Sequence, residues 1–216
     1  MSPKIFFIEG NIGSGKSTFL KNLEKYNLLT NVQFIQEPVN EWKETKDKDG
    51  INILEHFYSD MNRHCYTFQS FAFISRINQL DQIDDTKSYV FIERSVFCDK
   101  NVFARSCYET KIMSDIEWKI YNKWFDWMVQ KYKEIFDRSH IIYLATSPET
   151  AMKRINKRGR EEETTITLEY IDMLNKKHEE WLGEEKNVYN IDANQNICEK
   201  QNMIKLVEDL INDYDN

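Results

Sequence analysis

The feature that most constrains this chain is an octapeptide that matches the pattern G-x-x-x-x-G-K-[S/T] in full: Gly10, Asn11, Ile12, Gly13, Ser14, Gly15, Lys16 and Ser17. Thr18 follows it, an apolar run typical of a strand precedes it, and a segment with helical periodicity comes after it. In that context the glycines let consecutive backbone N–H groups turn towards phosphate oxygens, and the helix N-terminus adds its positive dipole end. The sequence therefore predicts a phosphate-binding loop, or P-loop, in which Lys16 reaches the β- and γ-phosphates of a nucleotide and Ser17 binds Mg²⁺.

Five short apolar runs, rich in β-branched or aromatic residues, alternate with longer segments of helical periodicity. The predicted strands are Lys4 to Ile8, Val32 to Ile35, Tyr89 to Ile92, His140 to Leu144 and Val188 to Ile191. The predicted helices are Lys16 to Tyr26, Asn52 to Tyr58, Asn62 to Ile83, Phe97 to Cys107, Asp115 to Phe136, Pro148 to Lys157, Leu168 to Leu182 and Glu199 to Asp213. Strands that are apolar throughout are typical of a parallel sheet covered on both faces. We expect an α/β fold with a five-stranded parallel sheet, in one domain that spans residues 1–216.

Composition argues against two classes of protein. The chain has 216 residues, a net charge of -7 and a sequence pI of about 5.3. Affinity for a polyanion must then come from a local cluster of Lys and Arg, so broad nucleic-acid binding is not expected. The mean hydropathy is -0.66, and no apolar run is long enough to cross a bilayer, so no membrane span is expected either.

The four cysteines, Cys65, Cys98, Cys107 and Cys198, lack the spacing of a zinc site and are expected to be buried thiols. Free thiols of this kind fit a reducing compartment. The opening segment, MSPKIFFIEG, leads directly into a predicted strand and has neither an apolar leader core nor an Arg- and Ser-rich amphipathic pattern. We therefore expect a cytoplasmic protein.

A P-loop does not define what receives the phosphate. GTPases read guanine with an N-K-x-D motif, but the Asn-Lys pairs of this chain are followed at the Asp position by Phe125, Gly159 and His178. This argues against a GTPase. Small-molecule kinases, ATPases and P-loop proteins that have lost their chemistry remain open.

Charged side chains follow two of the predicted strands. Glu37 comes after the second strand, and Glu93 and Arg94 come at the end of the third. Because the carboxyl ends of parallel strands border the ligand crevice, these groups should converge on the P-loop. A kinase needs such a carboxylate to take a hydroxyl proton and such cations to hold the phosphoryl group.

Two further charged segments are less informative. The segment from Glu41 to Gly50 predicts a solvated loop. The segment from Arg154 to Thr165 by itself fits either a charged helix end or a cationic site.

Eight segments, taken together and in order, resemble the deoxynucleoside kinase family: IEGNIGSGKSTF, EPVNEW, YTFQSFAFISR, ERSVFCDKNVFA, EWKIYNKWFDWM, IIYLATSPE, RINKRGREEE and LEYIDMLNKKHEEWL. The resemblance covers nearly the whole chain. It implies a P-loop kinase fold with a short arginine-rich lid at about 154–165. It also implies transfer of the γ-phosphate of ATP, with Mg²⁺, to the 5′-hydroxyl of a deoxynucleoside in nucleotide salvage.

The resemblance implies a role for individual residues. With Lys16, the catalytic groups would be Glu37, which matches the general base for the 5′-hydroxyl, and Arg94, which matches the arginine that holds this hydroxyl and the incoming phosphate. Glu93 matches the acidic Mg²⁺ partner of Ser17. The lid arginines that close on the ATP phosphates match Arg154, Arg158 and Arg160, and the sugar 3′-hydroxyl contacts match Tyr58, Glu163 and Tyr170.

The base pocket follows from the same resemblance. Gln69 matches the residue that reads the base edge, and Phe68 and Phe103 match the aromatic walls that sandwich the base. Trp42, Ile12 and Phe57 are expected nearby. Ala72, Arg76 and Asp99 occupy the positions that separate thymidine users from the rest, and the Arg76–Asp99 polar pair resembles users of deoxycytidine and purine deoxynucleosides. We therefore expect a purine deoxynucleoside to be favoured, deoxycytidine to be possible and thymidine to be poor.

The segment from Asp115 to Phe136 carries many aromatic residues, and the family forms homodimers through helices in this region, so we expect a homodimer. Two other functions remain open on the sequence. A nucleoside monophosphate kinase would need an additional cationic site for the acceptor's phosphate, and a regulatory module would bind ATP without turnover.

Overall fold

The computed structural model describes residues 2–185, 188–197 and 199–214. Five strands form one sheet: β1 (Lys4–Glu9), β2 (Val32–Ile35), β3 (Tyr89–Glu93), β4 (Ser139–Ala145) and β5 (Val188–Asp192). The strand order is β2-β3-β1-β4-β5, and every neighbouring pair is parallel. The predicted five-stranded parallel sheet is confirmed, and the predicted strands lie within one or two residues of the observed ones.

Alternate side chains of the central strand enter the two halves of the core, because successive residues of a strand point to opposite faces. Ile5 and Phe7 pack on one face of the sheet, and Phe6 and Ile8 pack on the other, all of them buried. This explains why the strands are apolar throughout. Helices must cover both faces, as the sequence pattern predicted.

Eleven α-helices are found in the described residues: α1 (Lys16–Tyr26), α2 (Val39–Glu44), α3 (Ile53–Ser59), α4 (Met61–Leu80), α5 (Val96–Cys98), α6 (Arg105–Glu109), α7 (Asp115–Lys131), α8 (Lys133–Asp137), α9 (Pro148–Arg158), α10 (Leu168–Leu182) and α11 (Lys200–Tyr214). Helices α1 and α11 cover one face of the sheet, and α2, α3, α4 and α7 contribute to the core on the other. A 3₁₀ turn, Glu161–Glu163, lies between α9 and α10.

The predicted helix Phe97 to Cys107 is not continuous. Between α5 and α6 the chain forms a π-helical turn, Asp99–Ala104. A π turn is wider than an α turn and is common at functional sites. In this turn Asp99 and Phe103, both predicted pocket residues, face the same cavity.

Two further predictions were wrong in detail. The segment from Glu41 to Gly50 was expected to be a loop, but α2 covers its first part because Trp42 is buried against the core. The predicted helix Asp115 to Phe136 is interrupted at Tyr132, where α7 ends and α8 begins. Tyr132 has φ -104 and ψ 21, and its hydroxyl donates to Asp81 Oδ1 at 2.9 Å. Three cysteines are buried free thiols, as expected, whereas Cys198 lies outside the described residues.

Because all strands run the same way, their carboxyl ends share one edge. The P-loop leaves β1 there, Glu37 follows β2, Glu93 ends β3, and Arg94 comes directly after Glu93. Across the described ranges, no helix has the length and apolarity needed to span a bilayer.

Candidate active site

One cavity of about 730 Å³ opens at the carboxyl edge of the sheet. It brings together most of the residues that the sequence predicted: Ile12, Gly13, Ser14, Gly15, Lys16, Ser17, Thr18, Glu37, Trp42, Phe57, Tyr58, Phe68, Gln69, Ala72, Arg76, Glu93, Arg94, Asp99, Phe103, Arg154, Arg158, Arg160, Glu163 and Tyr170. Gly10 and Asn11 are not among the lining residues. They lie behind the loop, where their carbonyl oxygens accept from Lys16 Nζ at 3.0 and 2.9 Å.

The P-loop needs glycine where its backbone is left-handed. Gly13 has φ +78, and a Cβ there would lie 2.4 Å from the carbonyl oxygen of Ala151 in α9. Gly15 has φ +101, directly before α1. The buried Asn11 side chain donates to the carbonyl of Ile171 at 2.8 Å, which joins the loop to α10.

Lys16 is buried, which disfavours its charged form, and Arg94 nearby repels it. Together they lower the pKa of Lys16 to about 8, although Glu37 and Glu93 act in the opposite direction. The ammonium therefore sits close to its titration point at physiological pH. Bound phosphates would favour its charged form further.

Ser17 and Glu93 place two oxygens side by side. Ser17 Oγ donates to Glu93 Oε1 at 2.6 Å, and both residues line the cavity. A hydroxyl and a carboxylate are hard oxygen ligands of the kind that Mg²⁺ takes together with phosphate oxygens and water. The Ser17–Glu93 pair therefore fits an ion that completes its shell with phosphates. In the described residues there is no group of three or more His, Cys, Asp or Glu that could hold a metal ion.

Glu37 is held by two arginines. Arg76 Nη2 donates to Glu37 Oε1 at 2.8 Å, and Arg94 Nε donates to the same oxygen at 3.1 Å. Burial alone would raise the pKa of Glu37, but Arg76, Arg94 and Lys16 outweigh it and lower that pKa below its usual range. Glu37 is therefore a carboxylate at neutral pH. Because both arginines bind Oε1, Oε2 remains available for a ligand.

Arg94 is held in position through its backbone as well as its side chain. Its φ is +69, in the left-handed region that non-glycine residues seldom adopt. The strain is offset by two buried contacts, in which Arg94 N donates to Ile8 O at 3.0 Å and Ser95 N donates to Glu9 Oε1 at 2.7 Å. Burial raises the pKa of Glu9. The sequence did not single out Glu9, although it directly precedes the P-loop.

The inner end of the cavity is aromatic and cationic. Phe57 and Phe68 stack with ring centroids 4.7 Å apart, and the Arg76 guanidinium lies 5.0 Å from the Trp42 ring. Arg76 Nε donates to both oxygens of Asp99, at 3.0 and 2.8 Å, although burial raises the pKa of Asp99 against the effect of Arg76.

Two buried donors at this end lack an acceptor within the described residues. They are Gln69 Nε2 and Arg76 Nη1. An unpaired buried donor carries a desolvation cost that a ligand with acceptor atoms would remove. The inner end therefore suits a ligand edge that carries such acceptors.

The lid residues lie on the opposite side of the cavity. Arg158 Nη2 donates to Glu163 Oε1 and Oε2 at 2.6 and 2.5 Å, and Arg160 Nη1 donates to Oε1 at 3.3 Å. Arg154 instead donates to the backbone carbonyls of Ser14 and Ala193, at 3.0 and 2.7 Å. Burial, followed by the charge of Glu163, raises the pKa of Tyr58. Glu163 thus lies near Tyr58, as predicted, but its hydrogen bonds go to the lid arginines.

The sequence analysis did not predict some lining residues. The turn after β5 contributes Gln195, Asn196 and Ile197, and the other side chains come from Lys21, Val39, Lys43, Leu54, Lys157 and Glu162. Lys43 Nζ and Glu162 Oε1 form an ion pair at 2.7 Å between α2 and the 3₁₀ turn. The turn after β5 carried a usable signal, since it follows the carboxyl end of a parallel strand. Lys43 carried no such signal, because the sequence of its segment, Glu41 to Gly50, is typical of a solvated loop.

Comparison with known proteins gives a consistent result. The family model described as deoxynucleoside kinase matches residues 6–214. Human deoxycytidine kinase (Homo sapiens) is 40% identical over 193 residues, which cover 81% of this chain and 74% of that protein. The chain belongs to the deoxynucleoside kinase family.

Other relatives agree with this assignment. A probable deoxycytidine kinase of Fowlpox virus is 40% identical over 180 residues, which cover 82% of this chain and 71% of the viral protein. The mitochondrial deoxyguanosine kinase of Xenopus laevis is 33% identical over 213 residues, 91% of this chain and 80% of that protein. The predictions of a P-loop α/β fold and of a nucleotide-binding kinase are confirmed, and the deoxynucleoside kinase family implies ATP as the phosphate donor.

The pKa of Lys16 leads to a testable pH dependence. Since its pKa is lowered to about 8 in the free protein, ATP binding above that pH must take up a proton. We expect the ATP dissociation constant to be nearly constant from about pH 7 to 8 and then to rise by up to about tenfold per pH unit. Isothermal titration calorimetry across this range measures it. In Lys16→Arg the cation does not titrate, so the rise above pH 8 should disappear. The same rise in both proteins would contradict the assignment.

Proposed function

We propose that this protein transfers the γ-phosphate of ATP to the 5′-hydroxyl of a deoxynucleoside, in the salvage of DNA precursors. The observation that carries the proposal is the Glu37 carboxylate, which is held by Arg76 and Arg94 in the same cavity as the P-loop. A base, two cations and a phosphate cradle thus share one compartment. Residues 1–216 act as one kinase domain, with the lid at about 154–165.

In this mechanism Glu37 orients the nucleoside and receives its proton. With Oε1 bound by the two arginines, Oε2 accepts from the 5′-hydroxyl. The lowered pKa of Glu37 makes it a weak base. A weak base is sufficient because the transition state of phosphoryl transfer is loose, so little proton transfer is needed before the phosphoryl group has largely left ADP. Arg94 holds the hydroxyl and the incoming phosphoryl group.

The donor end stabilises charge. Lys16 contacts the β- and γ-phosphates, and Ser17 and Glu93 hold Mg²⁺, which when bound neutralises charge on the phosphate oxygens. Arg154, Arg158 and Arg160 close on the phosphates from the lid. Two of them now bind Glu163, so lid closure exchanges that carboxylate for phosphates and frees Glu163 to join Tyr58 and Tyr170 at the sugar 3′-hydroxyl. Preorganised cations of this kind are usually the largest contribution to catalysis.

The base preference rests on the inner end of the cavity. Gln69 reads the base edge between Phe68 and Phe103, and Arg76 Nη1, which has no acceptor in the described structure, donates to N7 or O6 of a purine. We therefore place purine deoxynucleosides first. Deoxycytidine is the second candidate, because Ala72, Arg76 and Asp99 resemble deoxycytidine kinases and the human enzyme of that name is 40% identical. Thymine brings a methyl group towards the buried Arg76–Asp99 pair and should bind poorly.

A cytoplasmic location is part of the proposal. Cys65, Cys98 and Cys107 are all buried free thiols. Buried thiols of this kind are usual in reducing compartments. Deoxynucleosides and ATP, the substrates proposed for this kinase, are both found in the cytoplasm.

A substrate panel tests the function. Deoxyadenosine, deoxyguanosine, deoxycytidine, thymidine and their monophosphates are each offered with ATP and Mg²⁺, with Lys16→Ala as the control for P-loop chemistry. We expect nucleosides to react and thymidine to be slowest. Reaction of the monophosphates alone would instead identify a nucleoside monophosphate kinase. ATP binding without turnover of any acceptor would identify a regulatory module.

Replacing the proposed base gives a sharper prediction. Glu37→Gln keeps the shape of the side chain but removes its negative charge, so kcat should fall by roughly 10² to 10⁴ while nucleoside affinity changes little. Steady-state kinetics and nucleoside titration measure the two effects. Glu41→Gln, an exposed neighbour in α2, is the matched control. A Glu37→Gln enzyme with an unchanged kcat would show that Glu37 is not the general base.

The pocket assignment predicts a change of specificity. Arg76→Met combined with Asp99→Ala replaces a buried ion pair with apolar groups, which leaves space and no unpaired charge beside a thymine methyl. The ratio of kcat/KM for thymidine to that for deoxyadenosine should rise at least about tenfold. Circular dichroism confirms that the variant is folded. A folded variant with an unchanged ratio would show that the pair does not select the base.

We also propose that the protein is a homodimer. Helix α7 exposes Ile116, Ile120, Trp124 and Trp127 by 64%, 41%, 55% and 56%, and Ile74 of α4 is 45% exposed. Exposed apolar side chains grouped in this way mark interaction surfaces. Light scattering should give twice the 26.0 kDa chain mass, and Trp124→Glu with Trp127→Glu should give the monomer. A wild-type particle of one chain mass would contradict the dimer.

A further inference from the structure

Behind Arg94 lies a chain of hydrogen bonds that the proposed mechanism does not use. Arg94 Nη1 donates to Cys98 Sγ at 3.0 Å, and Cys98 Sγ lies 3.4 Å from His178 Nε2. His178 Nδ1 lies 2.8 Å from the carbonyl oxygen of Leu174, one turn earlier in α10. Cys98 and His178 are both fully buried. The chain therefore joins the guanidinium at the active site to the helix that follows the lid.

The contact of His178 with Leu174 indicates the direction of each bond in this chain. A carbonyl oxygen only accepts, so Nδ1 of His178 carries the proton and donates to Leu174. In the neutral ring Nε2 is then an acceptor, and the thiol of Cys98 donates to it. The sulfur in turn accepts from Arg94 Nη1, which is always protonated.

The titration behaviour is consistent with this arrangement. Burial, aided by Arg94, lowers the pKa of His178 to about 3, so the ring is neutral. Burial raises the pKa of Cys98 against the effect of Arg94, so the thiol keeps its proton. The Nδ1 hydrogen of His178, the thiol hydrogen of Cys98 and one Nη1 hydrogen of Arg94 each have an acceptor, as buried groups require.

Packing fixes the same groups. The His178 ring stacks on Tyr143 at 6.1 Å and meets the edge of Phe103 at 6.4 Å. The guanidinium carbon of Arg94 lies over the Phe103 ring, 4.8 Å from the ring centroid. Arg94 Nε donates to Glu37 and Arg94 Nη1 donates to Cys98, and these two hydrogen bonds fix the plane of the guanidinium. The third nitrogen, Nη2, is left for a ligand.

We propose that Cys98 and His178 are positioning residues, which hold the Arg94 guanidinium in the orientation that receives the transferred phosphoryl group and couple that orientation to α10. The inference rests on the proposed function, in which Arg94 contacts the phosphoryl group. The alternative is that the two side chains only fill the core. A core role predicts a loss of stability, whereas positioning predicts a loss of kcat that depends on Arg94.

A double-mutant cycle separates the two roles. Cys98→Ala removes the sulfur and should lower kcat about tenfold with the KM for ATP little changed, which is the usual effect of losing one hydrogen bond to a charged group. Cys98→Ser keeps a donor and an acceptor and should retain kcat within about threefold. In an Arg94→Lys background, where the nitrogen that reaches Cys98 is absent, Cys98→Ala should have no further effect. Cys107→Ala is the control, since it removes another buried thiol, one whose side chain contacts that of Cys65.

The contradicting outcomes are distinct. Equal losses from Cys98→Ala with and without Arg94→Lys would show that Cys98 only packs the core. His178→Phe, which keeps a ring without nitrogens, should match Cys98→Ala, and the two losses should not add. If they add fully, the histidine does not act through the thiol.

Nitrogen NMR provides a readout that needs no turnover, so failure of the kinase function leaves this test intact. In the wild-type protein the two Nη signals of Arg94 should be separate, because the bonds to Glu37 and Cys98 hinder rotation of the guanidinium. In Cys98→Ala the two signals should merge, and the His178 Nε2 signal should shift as it loses its donor. Unchanged signals for both residues would overturn the inference.

Discussion

The site depends on the contact of one carboxylate with two buried arginines. The side chains of Arg76 and Arg94 are 5% and 3% exposed, and that of Glu37 is 18% exposed. Charges this deeply buried persist only when they are paired, and removal of one partner leaves the other uncompensated. Asp99 supplies the second negative charge for Arg76. A nucleoside that enters must therefore fit an existing charge arrangement, with its 5′-hydroxyl meeting the free oxygen of Glu37.

The fold produces this contact by joining distant segments at one edge of the sheet. Glu37 follows the outer strand β2, and Arg94 directly follows β3, the strand between β2 and β1. Arg76 comes from the C-terminal part of the long helix α4. The left-handed backbone of Arg94 and the π turn at Asp99–Ala104 are local departures from regular structure. Both occur where side chains are aimed into the cavity, and strain of this kind is commonly found at functional sites.

The sequence predicted the parts that local patterns determine. Short, mainly apolar runs identified the five strands of the described sheet, and the P-loop spacing identified the phosphate end of the cavity. The resemblance supplied the base pocket, since no pattern of spacing marks Gln69 or Phe103 as readers of a base. The π turn was missed because its sequence has ordinary helical periodicity. The ion pair of Lys43 with Glu162 was missed because it depends on tertiary contact. The turn at Gln195 was missed because it carries no charged side chain and no motif, although it follows the carboxyl end of β5.

The most direct test of the account is a crystal structure with deoxyadenosine and ADP bound together. The account predicts the 5′-oxygen within hydrogen-bond distance of both Glu37 and Arg94, the base between Phe68 and Phe103, and the β-phosphate of ADP in the P-loop. Deoxyadenosine whose 5′-oxygen lies away from Glu37, or whose base occupies the turn after β5 instead of the inner end, would contradict it. That result would show that Glu37 does not accept the proton of the 5′-hydroxyl.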